Sequence, residues 1–157
     1  MNNDPELECL FTADQADRTL FRAGQLDWEA VEAGDRRREA AVKLALQDGR
    51  LHTAADYYHA AMILQHGLRP EDYLLAHELC IVAITGGEER ARWLAAASED
   101  RFLRSIGRPQ RFGTQHVRDE ATGQTRLYAV DPTGSDLVRA ALNVPSPAEA
   151  ERRVARE

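Results

Sequence analysis

Apolar residues recur every three to four positions over most of residues 11–106, which is the period of amphipathic helices. Start and stop signals divide this stretch into five predicted helices, about 12–23, 28–47, 54–66, 70–84 and 88–106. The signals are a capping box at Thr12 and Gln15, caps at Asp27 and Thr53, a C′ glycine at Gly67, a first-turn proline at Pro70, and glycine turns at 48–49, 86–87 and 107–109. The pattern therefore predicts a helical bundle.

After residue 107 the hydrophobic period changes from helical to extended. Residues 111–117 and 125–130 predict a β-hairpin, and 135–142 and 147–156 predict short terminal helices. We expect a mainly α fold, an antiparallel bundle of about five helices with a small C-terminal hairpin. One domain should span 1–157, with 1–10 and 150–157 the segments most prone to fraying.

Composition narrows the classes of function. The chain has 157 residues and a net charge of −6, which repels phosphate backbones and argues against nucleic acid as a partner. Five acidic residues among the first twenty argue against a secretory signal, and no apolar run approaches the ~18 residues of a membrane span. Two cysteines, Cys9 and Cys80, fit a reducing cytoplasm. The basic run Arg36–Arg38, interleaved with acidic residues, predicts a solvated helix face with local ion pairs.

Three histidines lie on two predicted helices joined by a short turn. His59 and His66 belong to the helix that begins after Thr53, and His77 lies on the next helix. His59 and His77 are each seven residues from the turn, about 10 Å along the axis, so an antiparallel pair would set them level. Side by side and buried, at least one imidazole would stay neutral and could accept a proton, as a general base requires.

Two other interpretations of the histidines remain open. Each can be a core residue that bonds a backbone carbonyl or a nearby tyrosine such as Tyr58. A metal site is also open: His59 and His77 could share one ion, whereas His59 and His66 are two turns apart, which is too far. The chain contains no phosphate-cradling glycine loop, GxSxG elbow or CxxC pair, and we predict no cofactor.

A second polar group lies where the fifth helix leads into the hairpin. Asp100 and Arg101 lie in the last turns of that helix. Gln110 precedes the FGTQ segment that follows, and Gln115 ends it. Arginine grips carboxylates with a planar fork, and a primary amide offers both a donor and an acceptor. This segment therefore predicts either substrate binding or a polar turn that braces the hairpin.

The order of these motifs resembles an uncharacterised bacterial domain-of-unknown-function family with the signature QH(A/G), DR and GxxQ(Y/F)GTQ. The matching residues here are Gln65–Gly67, Asp100–Arg101, Gly107–Gln110 and Phe112–Gln115. Asp14–Gln15, Asp17–Arg18 and the closing LNVPSPAEA are similar to further parts of that family. His59 does not belong to the signature, and many relatives have a glutamine at the position of His77. The family carries no assigned activity.

These observations favour a small cytoplasmic enzyme with a polar small-molecule substrate, in a biosynthetic pathway. The predicted chemistry is acid/base catalysis of hydrolysis, elimination or cyclisation. His66, His59 or His77 would move the proton, Arg101 would hold a carboxylate, and Asp100, Gln110, Gln115 and Tyr58 would complete the substrate site. One rival is a helical module that binds a partner or small molecule without catalysis; another is a histidine-ligated metal enzyme. A homodimer is a further expectation.

Overall fold

The computed structural model describes residues 2–155 and is mainly α, as the sequence predicts. Within this range the helices are α1 (Pro5–Arg22), α2 (Trp28–Gln47), α3 (Ala54–Leu64), α4 (Pro70–Thr85), α5 (Ala91–Ser105), α6 (Asp136–Ala141) and α7 (Pro147–Val154). The strands are β1 (His116–Arg118) and β2 (Thr125–Leu127). Among these residues no helix is both long and apolar enough to cross a membrane.

Local capping signals place most of the helix starts. The Thr53 hydroxyl accepts the N–H of Asp56 at 3.1 Å, and the Asp56 carboxylate accepts the N–H of Thr53 at 2.9 Å, which completes the predicted capping box of α3. Asp27 caps α2, and Pro70 is the first residue of α4. These contacts depend on neighbouring residues alone, so the sequence reports them directly.

The predicted start of the first helix at Thr12 is wrong. The cap is Asp4, whose carboxylate accepts the N–H groups of Glu6 and Leu7, and Pro5 is the first helical residue. Thr12 lies inside α1 and donates to the carbonyl of Glu8. Because Leu7 is fully buried, the turn that we expected to fray packs into the core.

Gly67 is not the C′ glycine that the sequence suggests, because its φ is not in the left-handed region. A Cβ at this position would lie 2.5 Å from the Cβ of Asp72. The glycine therefore allows close approach between the end of α3 and the first turn of α4. This short turn sets α3 and α4 antiparallel, as expected.

Helix α1 crosses two partners in opposite senses. Along α3, Asp4 bonds Asp56, Phe11 stacks on His59 and Asp14 faces His66, so the two helices run parallel. Along α2, Arg18 contacts Asp35 and the earlier Asp17 contacts the later Arg38, so α1 and α2 are antiparallel. The core lies between the first five helices. Its members are Leu7, Val42, Ala45, Leu51, Tyr58, Ala60, Ala61, Ile63, Leu64, Ala76, Leu79, Cys80, Ala83, Ala91, Leu94 and Ala95.

The hairpin is shorter than predicted. Strands β1 and β2 pair antiparallel over three residues each, with Val117 opposite Arg126. Residues 111–115 are not a strand, because the Asp100 carboxylate accepts the N–H groups of Arg111, Phe112 and Thr114. These groups are therefore unavailable to a neighbouring strand. At the C-terminus α7 ends at Val154, and Arg156, the last residue of the predicted helix, lies outside the described residues.

Candidate functional site

Helices α1 and α2 are joined by a buried network of charges. Arg18 reaches Asp35 at 2.7 Å and Asp14 at 3.4 Å, and Arg38 reaches Asp17 at 2.6 Å and Asp35 at 2.8 Å. Asp14 is fully buried, and Asp35 and Arg38 are less than a tenth exposed. The prediction that the Arg36–Arg38 run is a solvated face is therefore wrong for Arg38, which points inward.

His66 follows α3 and lies beside this network. Its Nε2 is 3.8 Å from Oδ2 of Asp14, beyond hydrogen-bond distance, and its side chain is 21% exposed. Burial lowers the pKa of His66 well below the ordinary 6.5, and the positive charges of Arg18, Arg101 and Arg38 lower it further. The imidazole is therefore neutral at pH 7 and can accept a proton.

The carboxyl of Asp14 is shifted in the opposite direction. Burial raises the pKa of Asp14, while Arg18 and Arg38 act to lower it. Desolvation prevails because this side chain is fully enclosed. A neutral imidazole next to a carboxyl of raised pKa brings two groups with altered proton affinity together, which is typical of acid/base sites.

Arg101 lies on α5 and contributes a cation without a matching anion. Its buried Nη1 has no hydrogen-bond partner among residues 2–155, and no carboxylate in that range lies within 4.0 Å of its guanidinium nitrogens. Burial lowers the pKa of Arg101, and Arg104 and Arg18 act in the same direction, yet an arginine stays protonated at neutral pH. A guanidinium with a buried nitrogen and no anionic partner is costly to a protein and indicates a site for an anion.

Arg101 lines a cavity of about 210 Å³ between α4, α5 and the hairpin junction. The other lining residues are Tyr73, Arg104, Ser105 and Gln115. Of the predicted substrate residues, Arg101 and Gln115 thus meet in one cavity. The Gln115 side chain donates to the Thr114 hydroxyl at 3.0 Å, which fixes the amide at the wall of the cavity.

Asp100 and Gln110 have a structural role instead of the predicted substrate role. Besides the three N–H groups of the loop, Asp100 accepts the Thr114 hydroxyl at 2.8 Å. Gln110 is fully buried, donates to the carbonyls of Gln115 and Tyr128, and accepts the N–H of Gln115. Because the protein itself satisfies both side chains, neither is available to a ligand, and the prediction for these two residues is corrected.

His59 and Tyr58 belong to a separate cluster, two helical turns from His66. The His59 ring stacks on Phe11 at 4.4 Å between centroids, and its buried Nδ1 has no partner within the described range. The guanidinium of Arg90 lies 4.5 Å from the Tyr58 ring centroid. Burial lowers the pKa of His59 and raises that of Tyr58. These contacts identify both residues as part of the α1–α3 core, apart from the cavity at Arg101.

The predicted level pair of His59 and His77 does not form. His77 turns toward α5, where its Nδ1 lies 2.9 Å from the Ala95 carbonyl, whereas His59 turns toward α1. The distance of a residue from the turn predicts its position along the helix axis, but it does not predict the direction in which the side chain points around that axis. His77 is thus a helix-bridging residue, and only His66 of the three histidines lies beside the charge network.

Sequence reasoning missed the roles of Arg18, Asp35 and Arg38. One signal was available, a glycine inside α2 at position 34. A Cβ there would lie 2.9 Å from Nη2 of Arg38 and 3.0 Å from Oδ2 of Asp17. A glycine one turn before a charged residue in a helix can therefore mark a buried ion pair. Tyr73 and Arg104 gave no comparable signal.

Among residues 2–155 no three His, Cys, Asp or Glu side chains come close enough together to hold a metal ion. Comparison with known proteins gives no relative: no family model, no curated protein and no solved structure matches the chain. The resemblance to the uncharacterised bacterial family therefore stays a prediction.

Proposed function

We propose that this protein is a small cytoplasmic enzyme that uses His66 as a general base on a small molecule whose carboxylate is held by Arg101. The observation that carries the proposal is the pairing of a neutral imidazole with a nearby guanidinium that has no anion of its own. Burial and, after it, the charges of three arginines keep His66 unprotonated, and one of these arginines, Arg101, has a buried Nη1 without a hydrogen-bond partner among residues 2–155. A bound carboxylate would supply the missing partner of Arg101.

Asp14 supplies the second half of the proton chemistry. When His66 takes a proton from the substrate, the imidazolium gains an attractive interaction with the carboxylate 3.8 Å away. The base is therefore neutral before the reaction, and this interaction offsets part of the cost that burial and the three arginines place on its charged form. Gln115 on the cavity wall would orient an amide or carbonyl of the substrate. Hydrolysis, elimination and cyclisation all begin with such a proton transfer.

The proposal is tested with bromoacetate, which carries a carboxylate and an electrophilic carbon, against its neutral analogue bromoacetamide. The imidazole nitrogen attacks the methylene carbon, an N–C bond forms, and bromide leaves. We expect bromoacetate to alkylate His66 about tenfold faster than bromoacetamide, the gain from one charge-assisted contact. Peptide mass spectrometry gives the rate for His66, with the exposed His116 as the internal reference.

Two variants complete the test. Arg101→Gln should remove the advantage of bromoacetate. Arg92→Gln, at a partly exposed arginine on the same helix that pairs with Glu89, should leave it unchanged. Equal rates of the two reagents at His66 in the wild type would contradict the proposal. An advantage that survives Arg101→Gln would contradict the role of that residue.

One surface favours a second candidate, self-association without catalysis. On the outer face of α4, Leu74 and Ile81 lie seven residues apart and are 38% and 49% exposed, and Val82 beside them is 42% exposed. Exposed apolar residues on one helix face are typical of helix pairing. If this face forms the expected homodimer, Ile81→Lys should yield a monomer in sedimentation equilibrium. A wild-type chain that sediments as a monomer would rule the dimer out.

A further inference from the structure

The cavity at Arg101 carries more positive charge than one carboxylate needs. Two of its five lining residues are arginines, Arg101 and Arg104, and none is acidic. An adjoining cavity of about 320 Å³ shares Arg104, adds Arg108, and also has no acidic residue in its lining. The chain as a whole has a net charge of −6, so the three arginines form a positive region on an otherwise negative protein.

Arg104 is held in a fixed orientation without an anionic partner. Its guanidinium carbon lies 3.3 Å from the ring centroid of Tyr128, and no carboxylate among residues 2–155 lies within 4.0 Å of its side-chain nitrogens. Stacking on a ring uses the face of the guanidinium and leaves the N–H donors at its edge available. Arg104 is therefore ready to donate hydrogen bonds within the cavity it shares with Arg101.

A neutral donor completes the set. Burial raises the pKa of the Tyr73 hydroxyl, which therefore keeps its proton at pH 7 and can donate it in a hydrogen bond. Two guanidinium groups and a phenol are the donors that proteins use for ligands with two negative charges.

We propose that the cavity lined by Tyr73, Arg101, Arg104 and Gln115 binds a small dianion, either a phosphate monoester or a dicarboxylate. This inference rests on the proposed function for the role of Arg101 and extends it by naming the class of substrate. A dianion neutralises both arginines at once, whereas a single carboxylate leaves one of them without a counter-charge.

Isothermal titration calorimetry with methyl phosphate, succinate and acetate tests the dianion site. At about pH 8 methyl phosphate is fully dianionic, since its second pKa is near 6. We expect at least one dianion to bind about tenfold or more tightly than acetate. Arg104→Gln should weaken that dianion about ten- to a hundredfold, the value of a lost charge-assisted contact. Arg92→Gln is the matched control and should bind as the wild type does.

Each outcome decides the inference. Preference for methyl phosphate or for succinate supports the site and identifies which dianion it takes. Dianions that bind no more tightly than acetate, or an Arg104→Gln variant that binds them as well as the wild type, overturn it. Arg101→Lys keeps the positive charge but loses the planar guanidinium. If this variant is folded and binds dianions more weakly, the weaker binding comes from the lost contact and not from a loss of the fold.

The failure of one proposal can be distinguished from the failure of the other. Dianion binding does not need proton transfer, so calorimetry measures it whether or not His66 acts as a base. Dianion binding without Arg101-dependent alkylation of His66 would leave a binding site and remove the catalytic role. Arg101-dependent alkylation without preference for dianions would leave the catalytic role and remove the present inference.

Discussion

Asp100 and Arg101 are neighbours on α5, both charged and largely buried, yet they belong to opposite kinds of site. The Asp100 carboxylate accepts four hydrogen bonds from the following loop. Arg101 has a buried nitrogen without any partner among the described residues. The protein itself supplies the hydrogen-bond partners of the Asp100 carboxylate, whereas a partner for Arg101 has to come from a ligand.

Whether the protein satisfies a buried polar side chain therefore distinguishes structural residues from ligand-binding residues better than residue type does. Gln110 and Gln115 show the same contrast in amides: the first is bonded at both ends, whereas the second lies at the wall of a cavity. Buried polar groups in stable folds are almost always paired. A buried charge without a partner therefore indicates a ligand, and the contrast can be tested on stability as well as on binding.

The largest effect is expected at Asp100. Asp100→Ala should lower the free energy of unfolding by roughly 3–5 kcal/mol, since three backbone N–H groups each lose a charged acceptor. Urea unfolding followed by circular dichroism measures the loss. Glu99→Ala, at the half-buried neighbour that reaches Arg111 only at 3.9 Å, is the control and should cost far less. A small loss for Asp100→Ala would mean that the loop does not depend on this carboxylate.

The next effect is a pH dependence that comes from His66. Its pKa is lowered in the folded protein, so between that value and about 6.5 the unfolded chain binds a proton that the folded chain does not. Stability should therefore fall as the pH falls through this window, by up to about 1.4 kcal/mol per pH unit. His66→Gln should lose less stability than the wild type between about pH 7 and pH 5. Parallel curves for the two proteins would show that His66 is not held neutral.

The smallest effect is expected at Arg101 and has the opposite sign to that at Asp100. Arg101→Met removes a buried, unpaired charge and keeps much of the side-chain volume, so it should leave stability unchanged or raise it by about 1 kcal/mol. The same unfolding assay applies. A loss as large as that of Asp100→Ala would assign Arg101 a structural role and end the contrast between the two neighbours.

Contacts within a few residues could be predicted from the sequence, and contacts between helices could not. The capping box at Thr53 and Asp56 and the proline start of α4 need only their own segment. The strand at residues 111–115 was overpredicted because Asp100, eleven residues earlier, takes the N–H groups that a strand would use. Local patterns carry no information on such a competitor.

The candidate site was predicted in part. Arg101 and Gln115 line one cavity, and Arg101 also acts on the pKa of His66. The sequence does not show, however, that His66 is buried or that charges from α1, α2 and α5 lower its pKa further. Arg18 and Asp14 are about fifty residues away from His66 in the chain and meet it only because α1 runs parallel to α3. The sequence predicts the position of His59 along α3 but not the direction of its side chain, since helical spacing does not show which neighbouring helix each face will contact.

The central claim is that His66 is a neutral base because it is buried and because arginines surround it. Titration of the His66 ring by nuclear magnetic resonance, in the wild type and in Arg101→Gln, tests it most directly. We predict that His66 titrates well below 6.5 in the wild type, and that its pKa rises in Arg101→Gln, since one nearby positive charge is removed. A wild-type His66 that titrates near 6.5, or a pKa that does not change in the variant, would contradict the claim.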